Sequence, residues 1–294
     1  MSEALARVRA LPIWSGEIDI ELLSGGLSNE SYKVSDGGKA YVVRFGRDFP
    51  FHHVSRDREA MVSAAAARAG LAPALVHSGP GVLVIDYIDG KTFEAGDVAN
   101  DIPRITDLIH RYHQTMPKEV SGPAFMFWPF HVIRDYARTL EAGGSRMVGE
   151  LPGYLELAEE LERAQMPLPI IFGHNDLLPA NFIDDGQRLW LIDFEYGGFS
   201  TAMFDLAGLA SNAGFDEEQS ALLLALYFGR QPDSALVRSH AAMQCASLLR
   251  EAMWSMVSEL HLDAPGADYV AYTGENLDRL AAALDSYRFR FGRA

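Results

Sequence analysis

Three residues pose the chemical question. Asp176 and Asn181 stand five apart in a stretch that reads as loop, and Asp193 follows twelve residues later, at the end of the short apolar run Leu189–Ile192. A carboxylate and a carboxamide on one loop, with a second carboxylate at the end of a following strand, suit phosphoryl transfer. One Asp accepts the proton of an attacking hydroxyl. The Asn and the other Asp offer the hard oxygens that hold Mg²⁺ against the phosphates of ATP. Asp and Asn also favour turns for reasons unrelated to catalysis, so neither group alone decides. The two together at hairpin spacing favour chemistry.

The loop His174-Asn175-Asp176-Leu177-Leu178-Pro179-Ala180-Asn181 follows the kinase pattern H-R-D-L-x-x-x-N except at Asn175, and Asp193-Phe194-Glu195 stands where D-F-G would be. His174 reads as a residue that fixes the loop by hydrogen bonding. In Tyr41-Val42-Val43-Arg44-Phe45, strand alternation puts Arg44 on the face opposite Tyr41, Val43 and Phe45. A cation in an apolar strand is costly unless paired or bound to phosphate, and Glu59 near the start of the following helix is its natural partner. Gly25-Gly26-Leu27-Ser28-Asn29 lies between the first two strands, where a turn covering phosphates would sit.

These residues need elements to position them, and the chain changes character near residue 90. Before it run short β-like segments, Ile18–Leu23, Ser31–Val34, Tyr41–Phe45 and Val82–Ile88, with a hairpin across Ser35–Ala40 and one alanine-rich helix, Arg56–Ala69, closed by Gly70. After it, Ile105, Leu108, Ile109 and Tyr112 mark one face of a helix, and Tyr154, Leu157, Ala158 and Leu161 repeat the spacing. From Glu217 onward the chain reads as helix, broken at Gly229–Pro232 and Pro265-Gly266. One β-like island, Ile170–Phe194, interrupts the helical half and carries the three residues named first. The expected fold class is α+β: a small β-rich lobe over residues 1–88, a link near Asp86–Lys91, and a larger, mainly helical lobe over 89–294.

Composition narrows the partners. Forty acids against 25 bases in 294 residues give a net charge of −15, which argues against holding nucleic acid by phosphate neutralisation and permits cationic substrates or Mg²⁺. The one cysteine, Cys245, lies in the apolar stretch Ala241–Leu249 and reads as a buried structural thiol. The longest apolar run, Ala221–Phe228, is far short of the ~20 residues of a membrane span. The N-terminus lacks the apolar core of a secretion signal, so a cytoplasmic location is expected. Gly90-Lys91-Thr92 resembles the end of a phosphate-binding P-loop, but Ile85 stands where that loop requires Gly. His110 and His113, three apart, read as ordinary helix residues with no carboxylate or cysteine co-ligand in view.

The motifs HNDLLPANF (174–182), IDFEYGG (192–198), FDLA (204–207) and GGLSN (25–29) resemble those of the choline/ethanolamine kinase family, within the wider aminoglycoside-phosphotransferase-like group. The likeness runs from residue 25 to about 212, and Trp254 extends it into the C-terminal helices. It implies a two-lobed, protein-kinase-like fold and ATP- and Mg²⁺-dependent phosphorylation of a small alcohol. Carried over, Asp176 would be the catalytic base, and Asn181 and Asp193 would hold Mg²⁺. Ser28 and Asn29 would approach the ATP phosphates, with Arg44 and Glu59 beneath them. The backbone of Asp86–Ile88 would meet adenine, and Asp205 would brace the catalytic loop. Glu195, Tyr196 and Trp254 would border the alcohol site, where aromatic faces and carboxylates suit a quaternary ammonium. Eukaryotic choline kinases resemble one another in two tryptophans three apart. This chain has Glu251 before Trp254, an acidic group that keeps the expectation of a cationic alcohol. Choline is the first expectation and ethanolamine the second. A thiamine or aminoglycoside kinase, or a nucleotide-binding pseudokinase that regulates a partner, stays open.

Overall fold

Period-two alternation of apolar side chains builds a five-stranded antiparallel sheet. The computed structural model describes residues 3–23, 30–262 and 266–292. A short helix α1 (Glu3–Arg9) precedes β1 (Asp19–Leu23), β2 (Glu30–Asp36) and β3 (Lys39–Phe45). A single 3₁₀ turn, Pro50–His52, leads into α2 (Arg56–Arg68), and β4 (Leu75–Gly79) and β5 (Val82–Asp86) complete the sheet in the order β1-β2-β3-β5-β4. Tyr32, Val34, Val43, Phe45 and Val84 fill one face of it against Val8 of α1. That leaves Arg44 on the opposite face of β3, a central strand, so water on a sheet edge is not available to it. β4 went unrecognised in the sequence. It is an edge strand bounded by Pro73 and Gly79-Pro80-Gly81, with Val76 40% exposed, so its apolar content is too thin to stand out.

Beyond the link at residues 87–90 the second lobe begins with β6 (Lys91–Thr92), α3 (Ala95–Asn100), α4 (Ile102–Glu119), α5 (Pro129–Ala142) and α6 (Leu151–Arg163). Ile105, Leu108, Ile109, Tyr112 and Met116 of α4 are buried together, as their spacing requires. Each such side chain contributes roughly 1.5–3 kcal/mol of transfer free energy. The β island resolves into β7 (Ile170–Gly173), the hairpin of β8 (Phe182–Asp184) and β9 (Leu189–Leu191), and β10 (Gly198–Thr201) paired antiparallel with β7. Lys91, which resembled a P-loop lysine, bonds Asp97 on the surface. Gly90 is explained by proximity instead, because a Cβ there would lie 2.6 Å from the Asp184 carbonyl oxygen.

Four helices close the lobe: α7 (Ala202–Asn212), α8 (Glu217–Phe228), α9 (Ser234–His261) and α10 (Tyr269–Phe291). α9 is the central one, packed against α5, α6, α7 and α10. Cys245 sits wholly buried on it, and burial pushes its thiol up to about 12, so it is inert. Among the described residues no helix is long and apolar enough to cross a membrane. The architecture is α+β, with a sheet-based N-terminal part and a helical C-terminal part.

Candidate active site

The cleft between the two lobes holds a chain of alternating charges. Arg44 of β3 reaches Glu59 of α2 and also donates from Nη1 to Asp193 Oδ1 at 2.8 Å. Arg56, one helical turn before Glu59, donates to Glu59 Oε2 at 2.6 Å and to Glu195 Oε2 at 3.1 Å. Glu59 is 1% exposed, so its charge depends on these two guanidiniums. Burial pushes the Asp193 carboxyl up, but adjacent Arg44 outweighs it and holds the group below the usual range. Burial and the neighbouring Asp193 push Glu195 the other way, above its ordinary value. The Asp193 carboxylate remains 30% exposed to the cleft. Of this chain the sequence indicated Arg44, Glu59, Asp193 and Glu195. It missed Arg56, whose signal was its position three residues before Glu59 on a helix.

The second half of the site is a loop held from below. Asp205, in the first turn of α7, accepts from the backbone N–H of His174 at 2.8 Å and of Asn175 at 2.7 Å. His113 Nε2 bonds the same carboxylate at 2.8 Å, and Tyr227 bonds His113 Nδ1 at 2.7 Å. Burial raises the Asp205 carboxyl, yet the His113 hydrogen bond and its neighbours hold it below the usual range. The reading of His113 as an ordinary helix residue is therefore corrected. Its partner lies 92 positions away, beyond the reach of any local spacing.

Asn175 explains its own departure from the kinase pattern. Its φ of +62° is a left-handed conformation that Asn tolerates better than most residues, and Asp193 adopts the same region at +66°. From there the Asn175 amide donates to the carbonyls of Tyr196 (3.0 Å), Gly198 (3.2 Å) and Gly173 (3.3 Å), tying the loop to the segment after Asp193. Gly173 is required by this approach, since a Cβ there would lie 2.6 Å from Asn175 Oδ1. His174 Nε2 donates to the Ile192 carbonyl at 3.0 Å, and burial lowers its pKa, so it stays neutral and structural. Asn181 donates its amide to the Asp176 carbonyl at 2.8 Å. That bond leaves its Oδ1 as the acceptor end of the side chain.

Asp176 opens onto a small recess lined also by Asn212, Ser247, Arg250, Glu251 and Asn276. Burial pushes its carboxyl well above the ordinary range, against the pull of Arg250. Arg250 is itself 3% exposed, bonded to Glu251 at 2.7 Å and stacked 4.7 Å from the Tyr196 ring centroid. Tyr272 donates to the other Glu251 oxygen at 2.9 Å. Trp254, one turn beyond Glu251, donates to the Tyr196 hydroxyl at 3.0 Å and clusters with Tyr269 and Tyr272. Tyr196 and Trp254 are thus brought together beside the recess. Glu195 faces Arg56 instead. Arg250, Asn276 and Tyr272 escaped the sequence reading because they come from helices far from the loop motifs. Arg250 alone left a trace, as a cation in the apolar stretch from Ala241 to Val257.

Asp86 and Ile88 fall where the sheet ends and the link begins, with the Asp86 N–H bonded to the Ala74 carbonyl at 2.9 Å. Ser28 and Asn29 lie outside the described residues. No group of three or more His, Cys, Asp or Glu among the described residues could hold a metal by itself. The pair of Asp193 carboxylate and Asn181 carboxamide is a hard-oxygen set of the kind that holds Mg²⁺ jointly with phosphates. Asp193 already attracts a cation, the Arg44 guanidinium.

Comparison with known proteins shows the family of the chain. The model of the phosphotransferase enzyme family matches residues 19–240. A probable ethanolamine kinase of Arabidopsis thaliana is 28% identical over 232 residues, covering 70% of this chain and 60% of its own length. The chain thus spans about three fifths of that relative. The crystal structure of a choline/ethanolamine kinase family protein from Mesorhizobium loti superposes with a TM-score of 0.79 at 26% identity, covering 96% of this chain and 94% of the other. The choline kinase LicA of Streptococcus pneumoniae shares the fold, with a TM-score of 0.73 at 22% identity over 89% of this chain and 94% of its own. With the family match spanning most of its length and the kinase-type loops in place, the chain belongs to the phosphotransferase enzyme family.

Proposed function

We propose that the protein is an ATP-dependent small-molecule kinase that phosphorylates the hydroxyl of a cationic amino alcohol, choline first and ethanolamine second. The observation that carries this reading is the position of Asp176. It is braced through Asp205, Asn175 and Asn181, and faces a recess that contains Glu251. On this reading residues 1–88 form the nucleotide-binding lobe and residues 89–294 the catalytic and substrate-binding lobe. The Asp86–Ile88 backbone meets adenine, and Ser28 and Asn29 cover the phosphates.

In the proposed mechanism Asp176 orients the alcohol hydroxyl and takes its proton as the oxygen attacks the γ-phosphorus. Its burial-raised pKa suits that role. Arg44, steadied by Glu59, turns from Asp193 toward the nucleotide phosphates and offsets their charge. Asn181 and Asp193 would hold Mg²⁺, which would offset the charge of the nucleotide phosphates. The cationic end of the alcohol is recognised by Glu251 and by the ring cluster of Trp254, Tyr196 and Tyr272.

An ADP-release assay over choline, ethanolamine, an aminopropanol, thiamine and aminoglycosides tests the class and ranks the substrates. Turnover of none of them, with ADP bound normally, would favour the pseudokinase reading. Asp176→Ala is expected to lower kcat by roughly 10²–10⁴-fold with nucleotide affinity retained. Full turnover by that variant would defeat the mechanism.

A further inference from the structure

The segment between β3 and α2 belongs by sequence to the sheet lobe, yet three consecutive residues of it dock on the helical lobe. Phe51 stacks on His261 of α9 with ring centroids 3.7 Å apart and planes 4° from parallel. His52 is 3% exposed; its Nδ1 meets the Tyr136 hydroxyl of α5 at 3.3 Å, and its Nε2 meets the Ser258 hydroxyl of α9 at 3.1 Å. The same imidazole packs against the Trp254 indole, with centroids 5.1 Å apart. His53, at a left-handed φ of +60°, bonds Asp135 of α5 at 2.7 Å. The other end of the segment lies in the nucleotide cleft. Arg56 holds Asp48 and the Arg47 carbonyl through its own N–H and Nε, and shares Glu59 with Arg44. Arg58 bonds the carbonyls of His53 and Glu195.

We propose that His52 is a positioning residue for the alcohol pocket: it sets the Trp254 indole from the nucleotide lobe, so that the pocket wall responds to what the nucleotide cleft holds. The proposal rests on the assignment of the cleft to nucleotide and the recess to alcohol made above. Its physical basis is a contiguous run of polar and ring contacts from Asp193 through Arg44, Glu59, Arg56 and the 47–53 segment to Trp254. A nucleotide that draws Arg44 away from Asp193 leaves Glu59 and Arg56 to re-pair, and Arg56 anchors the start of the segment. His52 is suited to transmit this as a rigid element. Burial, with the charges of Arg250, His53 and His261, lowers its pKa to about 3, so the neutral ring holds one donor and one acceptor nitrogen in fixed roles.

The test uses the full chain, with Mg²⁺–ADP as the probe. Trp254 is one of four tryptophans, so its signal is the difference in emission between the wild type and Trp254→Phe during the titration. The wild type is expected to show a Trp254-dependent change that is lost in His52→Ala and in Ser258→Ala, with ADP affinity retained within twofold. In turnover assays both variants are expected to raise the alcohol KM about tenfold, the cost of about one hydrogen bond, while the ATP KM holds. If His52→Ala does not fold, Ser258→Ala carries the test, because it removes one hydroxyl and leaves the helix intact. A wild type without a Trp254-dependent change, or an unchanged response in the folded variants, overturns the proposal. The fluorescence readout needs no alcohol. Failure of every alcohol in the panel therefore counts against the proposed function and not against this coupling.

Discussion

At the scale of single residues, the site is governed by buried charges whose partners come from elsewhere in the chain. Arg250 is the clearest case. Its guanidinium is sealed beneath Tyr196 and tied to Glu251, whose side chain is 26% exposed. Arg250→Leu removes the partner but leaves the Glu251 charge, and is expected to cost about 3 kcal/mol in denaturant unfolding, the low end for a broken buried pair. Arg250→Leu with Glu251→Leu should recover part of that loss, because the pair is then removed as a unit. A double variant less stable than the single one would show that the ion pair is not the source. Arg250→Lys should not restore full stability, since an ammonium lacks the planar guanidinium that stacks on Tyr196 while bonding Glu251.

At the scale of elements, α4 and α7 are the platform on which the loop carrying Asp176 rests. Their meeting point is the Asp205 carboxylate, which takes two loop N–H groups and His113. Its pKa is held down in the folded state, so the stabilisation it contributes is present above the ordinary aspartate range and is lost as pH falls through the depressed folded value. Asp205→Asn is therefore expected to be less stable than the wild type at neutral pH, and the gap should close as both are titrated to strong acid. Thermal melts across that range check it; a gap independent of pH would contradict the assignment. A second element-level prediction concerns β7, where the Cβ of Gly173→Ala would press on the Asn175 amide. Overpacking of this kind costs about 1–3 kcal/mol, and loss of the Asn175 bonds should lower kcat more than the nucleotide KM. The apolar stripe of α4 was legible in the sequence because helix periodicity is local. The role of His113 on the same helix was not, because it depends on α7 arriving alongside.

At the scale of the whole molecule, two lobes are joined by a chain link and by the charges and rings that cross the cleft. A ligand binding only the folded cleft adds RT ln(1 + [L]/Kd), about 2.7 kcal/mol at a hundredfold excess over Kd. Mg²⁺–ADP is thus expected to raise the melting temperature of the wild type, and chelation of the metal should reduce the shift. Asp193→Asn should show a smaller Mg²⁺-dependent increment than the wild type, because a carboxamide oxygen replaces a carboxylate at the metal. An equal increment in both proteins would remove Asp193 from the metal site. The net charge of −15 takes on a narrower meaning at this scale. Most acids lie on the surface, while Glu59, Asp193, Glu195 and Asp205 are set among guanidiniums and imidazoles.

By itself the sequence determined the family and the two-part architecture. Loop motifs five and twelve residues apart, strand alternation and helix periodicity are all local signals, and they led to Asp176, Asn181, Asp193 and the Arg44–Glu59 pair. Only the tertiary structure decided which groups surround them. Arg56 joins the ion chain, His113 and Tyr227 stand beneath Asp205, Arg250 and Asn276 line the recess, and His52 crosses from one lobe to the other. Those contacts join residues as many as 206 positions apart, and no periodicity in a chain records which distant helices its packing will bring together.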